Sequence, residues 1–79
     1  MDLSEAMRLR IQELIAEYNT NGNKLALSSG FNRSNISKFL RKKHKTIKIE
    51  SIALICQSLE ISLKDFFDSK LFDDVEVND

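Results

Sequence analysis

Residues 21–42, which read NGNKLALSSGFNRSNISKFLRK, decide the fold of this chain. Their spacing predicts two short helices joined by a tight turn. The first helix covers residues 22–29, and the side-chain oxygen of Asn21 caps its start. Gly30 follows it at the place where a residue in the left-handed conformation ends a helix.

A second helix is predicted over residues 33–41, with Asn32 as its N-cap. Helical spacing separates its two faces. The apolar face holds Ile36, Phe39 and Leu40. The opposite face has hydrogen-bonding and positively charged side chains and no carboxylate, namely Arg33, Ser34, Ser37, Lys38 and Arg41. A helix whose exposed face only meets water usually mixes Glu with Lys, so this face is typical of a helix that binds a polyanion.

The pattern of small, turn-forming and aliphatic residues resembles the helix-turn-helix of the Cro/CI repressor-like (XRE) family. It is carried by Ala26, Gly30 and Ile36, with Leu25 before them and Phe39 after. In that motif the small residue lets the helices cross closely, the glycine makes the turn, and the aliphatic residue locks the second helix onto the first. The resemblance covers residues 8–67. It implies an all-α, compact five-helix, lambda-repressor-like DNA-binding domain with the helix-turn-helix at helices 2 and 3.

Length and composition favour a single small helical domain. The chain has 79 residues, no proline and two glycines, and it lacks a strong alternating pattern before its last residues. We expect residues 1–72 to form the helix-turn-helix domain and residues 73–79 to form an acidic, frayed tail. The alternation of Val75 and Val77 also permits a short strand, which could pair with an edge offered by a dimer partner. No apolar run suits a membrane span or a signal peptide, so a cytoplasmic protein without a membrane partner is expected.

Apolar spacing predicts three further helices. The first covers residues 3–19, capped by Asp2 or by the competing Ser4. Its core side is expected to hold Leu3, Met7, Ile11, Leu14, Ile15 and Tyr18, and its outer side Arg8, Arg10, Gln12, Glu13 and Glu17. Another helix covers residues 49–59. Ser62 and Asp65 form a capping-box pair at the start of the last one.

The chain departs from the family pattern at several positions. The first residue of the second helix is Gly22, where glutamine is usual, so a phosphate contact there would fall to the main chain. Ile15 and Leu40 stand where the family often has an arginine and a glutamate, and we expect them to pack together instead of forming an ion pair. Glu60 stands where a glycine is frequent, so the helix before it is expected to end differently.

Residues with metal-binding or nucleophilic side chains are isolated in the sequence. Cys56, the single cysteine, lies in an apolar run, which indicates a buried thiol. His44, the single histidine, lies between lysines without a second ligand or base nearby. We therefore expect no enzyme activity, no metal, no cofactor and no small-molecule ligand.

The formal net charge is zero, but the charges are segregated along the chain. Residues 20–49 contain eight basic residues and no acid, whereas residues 60–79 contain two lysines and seven acids. A solvated loop can be rich in lysine by chance. Joined to a helix-turn-helix with an acid-free outer face, the basic block indicates nucleic-acid binding.

The resemblance implies a transcription regulator, a repressor, that binds double-stranded DNA by inserting helix 33–41 into the major groove. Its base-reading residues are then Arg33, Ser34, Ser37 and Lys38, and its phosphate-binding residues are Asn21, Asn32, Arg41, Lys43 and Lys45. Asn35 is expected to point to the side of this helix, so it ranks below the other four as a base-reading residue. Repression rather than activation does not follow from these residues.

Two half-sites read by two copies double the base contacts of one small domain, so a homodimer is expected. The interface candidates are Leu63, Phe66, Phe67, Leu71 and Phe72. Core packing competes for Phe66 and Phe67, which makes Phe72 the better interface candidate. The alternative function is an antitoxin-like or adaptor module whose main partner is another protein, bound by the basic groove or the acidic C-terminal segment.

Overall fold

The structure, a computed structural model, describes residues 1–28 and 33–77, and of Arg33 the main chain alone. The described helices, in chain order, are α1 (Leu3–Glu17), α2 (Gly22–Ser28), α3 (Arg33–Leu40), α4 (Ile49–Leu59) and α5 (Leu63–Phe67), followed by a 3-10 helix, Lys70–Phe72. The prediction of an all-α, five-helix domain with a helix-turn-helix at α2 and α3 is confirmed. The predicted turn at Gly30 and cap at Asn32 lie outside the described residues.

One hydrophobic core joins the helices. α2 and α3 bury Leu25, Ala26, Ile36 and Phe39 in it, and these side chains meet others from α1, α4 and α5. Those others are Met7, Ile11, Leu14, Ile52, Ile55, Cys56 and Phe66. Since Ile36 and Phe39 are fully buried, the opposite face of α3 has to look outward.

Side-chain caps set the helix starts much as the residue types predict. The carboxylate of Asp2, rather than Ser4, caps α1 by accepting the Ser4 N–H at 2.7 Å. Asn21 Oδ1 accepts the Lys24 N–H at 2.9 Å at the start of α2. Ser62 and Asp65 form the predicted capping box of α5.

Among the described residues, α1, α3 and α4 are each followed by a left-handed residue that is not glycine, namely Asn19, Lys42 and Glu60, with φ of 54°, 63° and 60°. In each case the left-handed residue and the next one donate their N–H groups back to the last turn, as Glu60 does to Gln57 O and Ile61 does to Cys56 O. This pair of bonds is the Schellman motif. The expectation that α4 ends differently without a glycine is therefore wrong, because Glu60 takes the glycine-like conformation itself.

The outer side of α1 differs from its predicted pattern. Arg8 is only 5% exposed, whereas Tyr18, expected in the core, is 44% exposed. Tyr18 is the C-cap of α1, which ends at Glu17, so the helical period no longer directs its side chain. The side chains of Arg8 and Arg10 do not extend into solvent; both donate to main-chain carbonyl oxygens of other segments.

Ile15 and Leu40, the apolar residues at the family's ion-pair positions, both pack against the core. The Leu40 side chain also comes close to the start of α2, since a Cβ built on Gly22 would lie 3.4 Å from Leu40 Cδ1. Glycine thus lets the end of α3 sit near the beginning of α2.

The C-terminal segment folds back over α1. The rings of Phe66 and Phe67 lie 4.9 Å apart, and Phe72 packs on Phe67 at 5.0 Å between centroids. Further on, Glu76 pairs with the N-terminus: its N–H donates to Met1 O, and its carbonyl accepts the Leu3 N–H, both at 2.9 Å. The strand-like pairing near Val75 and Val77 is therefore made within the chain. Among the helices described, none is long and apolar enough to cross a membrane.

Candidate nucleic-acid interface

A shallow groove runs between α2 and α3 on the side away from the core. We call it the α2–α3 groove. Its lining is Asn23, Ala26, Leu27, Ser34, Ser37, Lys38 and Arg41, and its volume is about 330 Å³. Three of the four predicted base readers lie here, together with Arg41, one of the predicted phosphate ligands. The side chain of Arg33 and all of Asn32 are outside the described residues.

The α3 wall of the α2–α3 groove carries polar and positively charged side chains. Ser34, Lys38 and Arg41 are exposed and Ser37 is half-buried, and none of the described residues that line the groove is acidic. Hydroxyl donors and acceptors beside two cations suit a ligand that offers both hydrogen-bonding edges and negative charge. The α2 wall adds Leu27, which is 59% exposed and was not anticipated from the sequence, because it falls one residue past the buried Ala26 on a helix of only seven residues.

Asn21 stands at the start of α2, where its side chain has a structural task. Its Oδ1 accepts the Lys24 N–H, and its main-chain carbonyl accepts the Leu25 N–H at 3.0 Å. With the carboxamide oxygen occupied, an anion at this position is left with the Nδ2 donors of the same group. Asn21 can therefore cap α2 and donate to a phosphate at once.

A second basic surface follows α3. We call residues 41–48 the basic loop. The left-handed conformation of Lys42 turns the chain there, and the N–H groups of Lys43 and His44 return to Lys38 O at 2.8 and 3.3 Å. Lys43 and Lys45 are exposed. They line a separate groove with Asn35, which faces this loop and not the α2–α3 groove.

Arg8 connects α1 to the end of α3 and to the basic loop. Its Nε donates to Phe39 O at 2.8 Å and its Nη2 to His44 O at 3.3 Å. The guanidinium lies 4.4 Å from the centre of the Phe39 ring, and Nη1 pairs with Glu5 at 2.6 Å. Sequence reasoning missed this role. Two of these acceptors are main-chain oxygens, which no side-chain pattern reveals.

The residues considered for other chemistry do not converge. Cys56 lies in the core, where burial raises the pKa of its thiol. A buried, protonated thiol is a poor nucleophile and a poor metal ligand. Within residues 1–28 and 33–77, no group of three or more His, Cys, Asp or Glu side chains could hold a metal ion.

A family model described as the Cro/C1-type HTH DNA-binding domain matches residues 10–70 of the chain. This span is well over half of the 79 residues and includes α2, α3, the basic loop and α4. Neither a curated protein nor a solved structure matches the chain.

Proposed function

Since the chain belongs to the Cro/C1-type helix-turn-helix DNA-binding family, we propose that it binds double-stranded DNA at specific sequences and thereby regulates transcription. The observation that carries the proposal is the α2–α3 groove, whose described lining has no acid and gathers Ser34, Ser37, Lys38 and Arg41 on the open face of α3. The buried Ile36 and Phe39 hold that face outward. A helix so oriented can enter the major groove.

The base readers in this proposal are Arg33, Ser34, Ser37 and Lys38. Lys38 donates to the O6 and N7 acceptors of guanine, and Arg33 can bind the same pair of acceptors in a bidentate contact. Ser34 and Ser37 both donate and accept, so they suit more than one base. Helical spacing in the sequence predicts that positions 33, 34, 37 and 38 fall on one face of a helix.

The phosphate ligands in this proposal are Asn21, Asn32, Arg41, Lys43 and Lys45. Asn21 lies at the start of α2, whereas Arg41, Lys43 and Lys45 lie in the basic loop after α3. A neutral donor on one side of a reading helix and cations on the other can bind phosphates of the two strands that border one major groove. Such contacts position the protein and make binding depend on salt.

We further propose that the protein binds as a homodimer and acts as a repressor in the cytoplasm. α3 has eight residues and so is about 12 Å long at 1.5 Å per residue. That length reaches only a few base pairs, whereas two copies on an inverted repeat double the recognised sequence. A dimer that occupies a promoter blocks polymerase without any further domain.

The test is selection from a randomised duplex pool, followed by sequencing of the bound DNA and a salt titration of the winning site. An enriched inverted repeat with affinity that falls as salt rises is the expected result, and its half-site spacing reports the dimer geometry. Reporter expression from a promoter that carries the selected site should fall when the protein is present. Binding without any enriched motif would contradict sequence-specific recognition and favour a protein partner instead.

A further inference from the structure

Arg8, on α1, binds both the end of α3 and the basic loop. Phe39 O belongs to the last turn of α3 and accepts two donors, Arg8 Nε at 2.8 Å and the Lys42 N–H at 3.1 Å. His44 O belongs to the basic loop and accepts Arg8 Nη2. One planar guanidinium therefore spans the point where the helix becomes the loop.

The surroundings of Arg8 leave its side chain little freedom. It is 5% exposed, its Cζ lies over the Phe39 ring, and Glu5 pairs with its charge. A guanidinium presents its donors in a fixed fork, whereas a lysine ammonium is a point charge that cannot hold two separated carbonyls in one geometry. Arg8 is thus built to fix relative position, and its buried charge is not itself available to a ligand.

We propose that Arg8 is a positioning residue for DNA binding. It sets the basic loop against α3 so that Lys38, on the helix, and Lys43, in the loop, meet the same duplex at once. This inference rests on the proposed function. A loop held in place before binding does not have to be ordered on the DNA, so the lysines of a fixed loop bind phosphate more tightly.

The chain contains a matched control for this role. Arg10, two residues further along α1, donates from Nε to Phe66 O at 2.7 Å and from Nη2 to Asp65 O at 2.9 Å. It also pairs with a nearby glutamate, Glu13, at 3.2 Å. Arg8 and Arg10 therefore make the same kind of contact at the ends of two helices, but only Arg8 holds the basic loop.

The experiment is a double-mutant cycle on DNA affinity. Arg8→Lys and Arg10→Lys are each combined with Lys43→Ala, and binding to the selected duplex is measured at several salt concentrations. Circular dichroism checks that each variant is folded under the conditions used. If Arg8→Lys is unfolded, the cycle is repeated with Glu60→Gly added, a change at the end of α4 that should stabilise the fold.

In the wild type, Lys43→Ala should weaken binding about fivefold at 0.15 M salt, the effect of one phosphate contact with a salt slope of about 0.9. In the Arg8→Lys background, Lys43→Ala should cost much less. The salt slope of Arg8→Lys alone should already be smaller than that of the wild type by about 1. In the Arg10→Lys background it should cost the same as in the wild type.

An equal cost of Lys43→Ala in all three backgrounds would overturn the proposal. So would an Arg8→Lys variant that stays unfolded in both backgrounds while Arg10→Lys folds, because Arg8 would then be needed for the fold itself. Absence of DNA binding by the wild-type protein is a different result, since it would refute the proposed function.

Discussion

Lys42 and Glu60 hold the same left-handed backbone conformation just past the ends of α3 and α4, with φ of 63° and 60°. A left-handed conformation costs an L-residue roughly 1 to 2 kcal/mol, and glycine avoids this cost. Lys42 and Glu60 thus each end a helix in the conformation that glycine most often adopts at this position. In the case of Lys42, the strained turn also places a cation in the basic loop.

Glu60→Gly should raise the free energy of unfolding by about 0.5 to 1 kcal/mol, because relief of the left-handed strain exceeds the added backbone entropy of glycine. Urea denaturation measures the gain. Glu60→Ala is the control, since it removes the same charge but keeps the strain, and it should gain little. A glycine variant no more stable than the alanine variant would contradict this explanation.

Lys38→Ala and Lys43→Ala remove one cation each but should affect DNA binding differently. Lys38 lies in the α2–α3 groove and Lys43 in the basic loop. Lys38→Ala should cost about 1 to 3 kcal/mol on the selected site and relax one base position, and Arg33→Ala should act in the same way. Lys43→Ala should weaken binding to all sequences alike. Competition with random duplex separates the two effects, and equal losses on both DNAs would remove Lys38 from the base readers.

Phe66→Ala and Phe72→Ala test whether the aromatic cluster belongs to the core or to a dimer interface. Phe66 is fully buried, so its loss should cost about 3 to 5 kcal/mol. Phe72 is half-buried against Phe66 and Phe67. Phe72→Ala should therefore lower the free energy of unfolding by roughly half as much as Phe66→Ala. The sequence favours Phe72 as an interface residue, but its ring packs on Phe66 and Phe67 of the same protomer. We therefore expect the cost of Phe72→Ala to be the same at every protein concentration. A loss seen only at concentrations where the protein dimerises would assign Phe72 to the interface.

Cys56 should make stability fall at alkaline pH. Burial raises the pKa of its thiol in the folded protein, so above the unfolded pKa of about 8.5 the unfolded chain loses this proton first. The unfolded state then binds fewer protons than the folded state, and the free energy of unfolding decreases as pH rises. Urea denaturation from pH 7 to 10 should show a smaller decrease for Cys56→Ala. Identical pH profiles for the two proteins would show that the thiol titrates alike in both states.

The sequence predicts most of the helices because short-range chemistry specifies them. α4 has its predicted bounds, and the cap of α5 by Ser62 follows from residue types three positions apart. The helical period predicts Tyr18 wrongly because Tyr18 is already the C-cap of α1 and has left the helical conformation. The end of α4 differs from the prediction because Glu60 adopts a left-handed conformation, which is uncommon for glutamate.

The candidate site was only partly predictable. Ser34, Ser37, Lys38 and Arg41 follow from helical spacing, and the structure brings them into one groove. Arg8 could not be found in this way. Its carbonyl partners lie 31 and 36 residues away along the chain, and a main-chain oxygen is present at every residue, so nothing in the sequence marks the two that Arg8 binds.

The pairing of Glu76 with Met1 and Leu3 has a consequence for the order of folding. It joins segments separated by more than seventy residues, whereas the contact between α2 and α3 closes a short stretch. Closing a longer loop costs more chain entropy before any contact repays it, so this pairing should form after the folding barrier is crossed. Weakening it should therefore speed unfolding and leave the refolding rate nearly unchanged. The two ends of the chain would then affect how long the folded protein lasts, with little influence on how fast it forms.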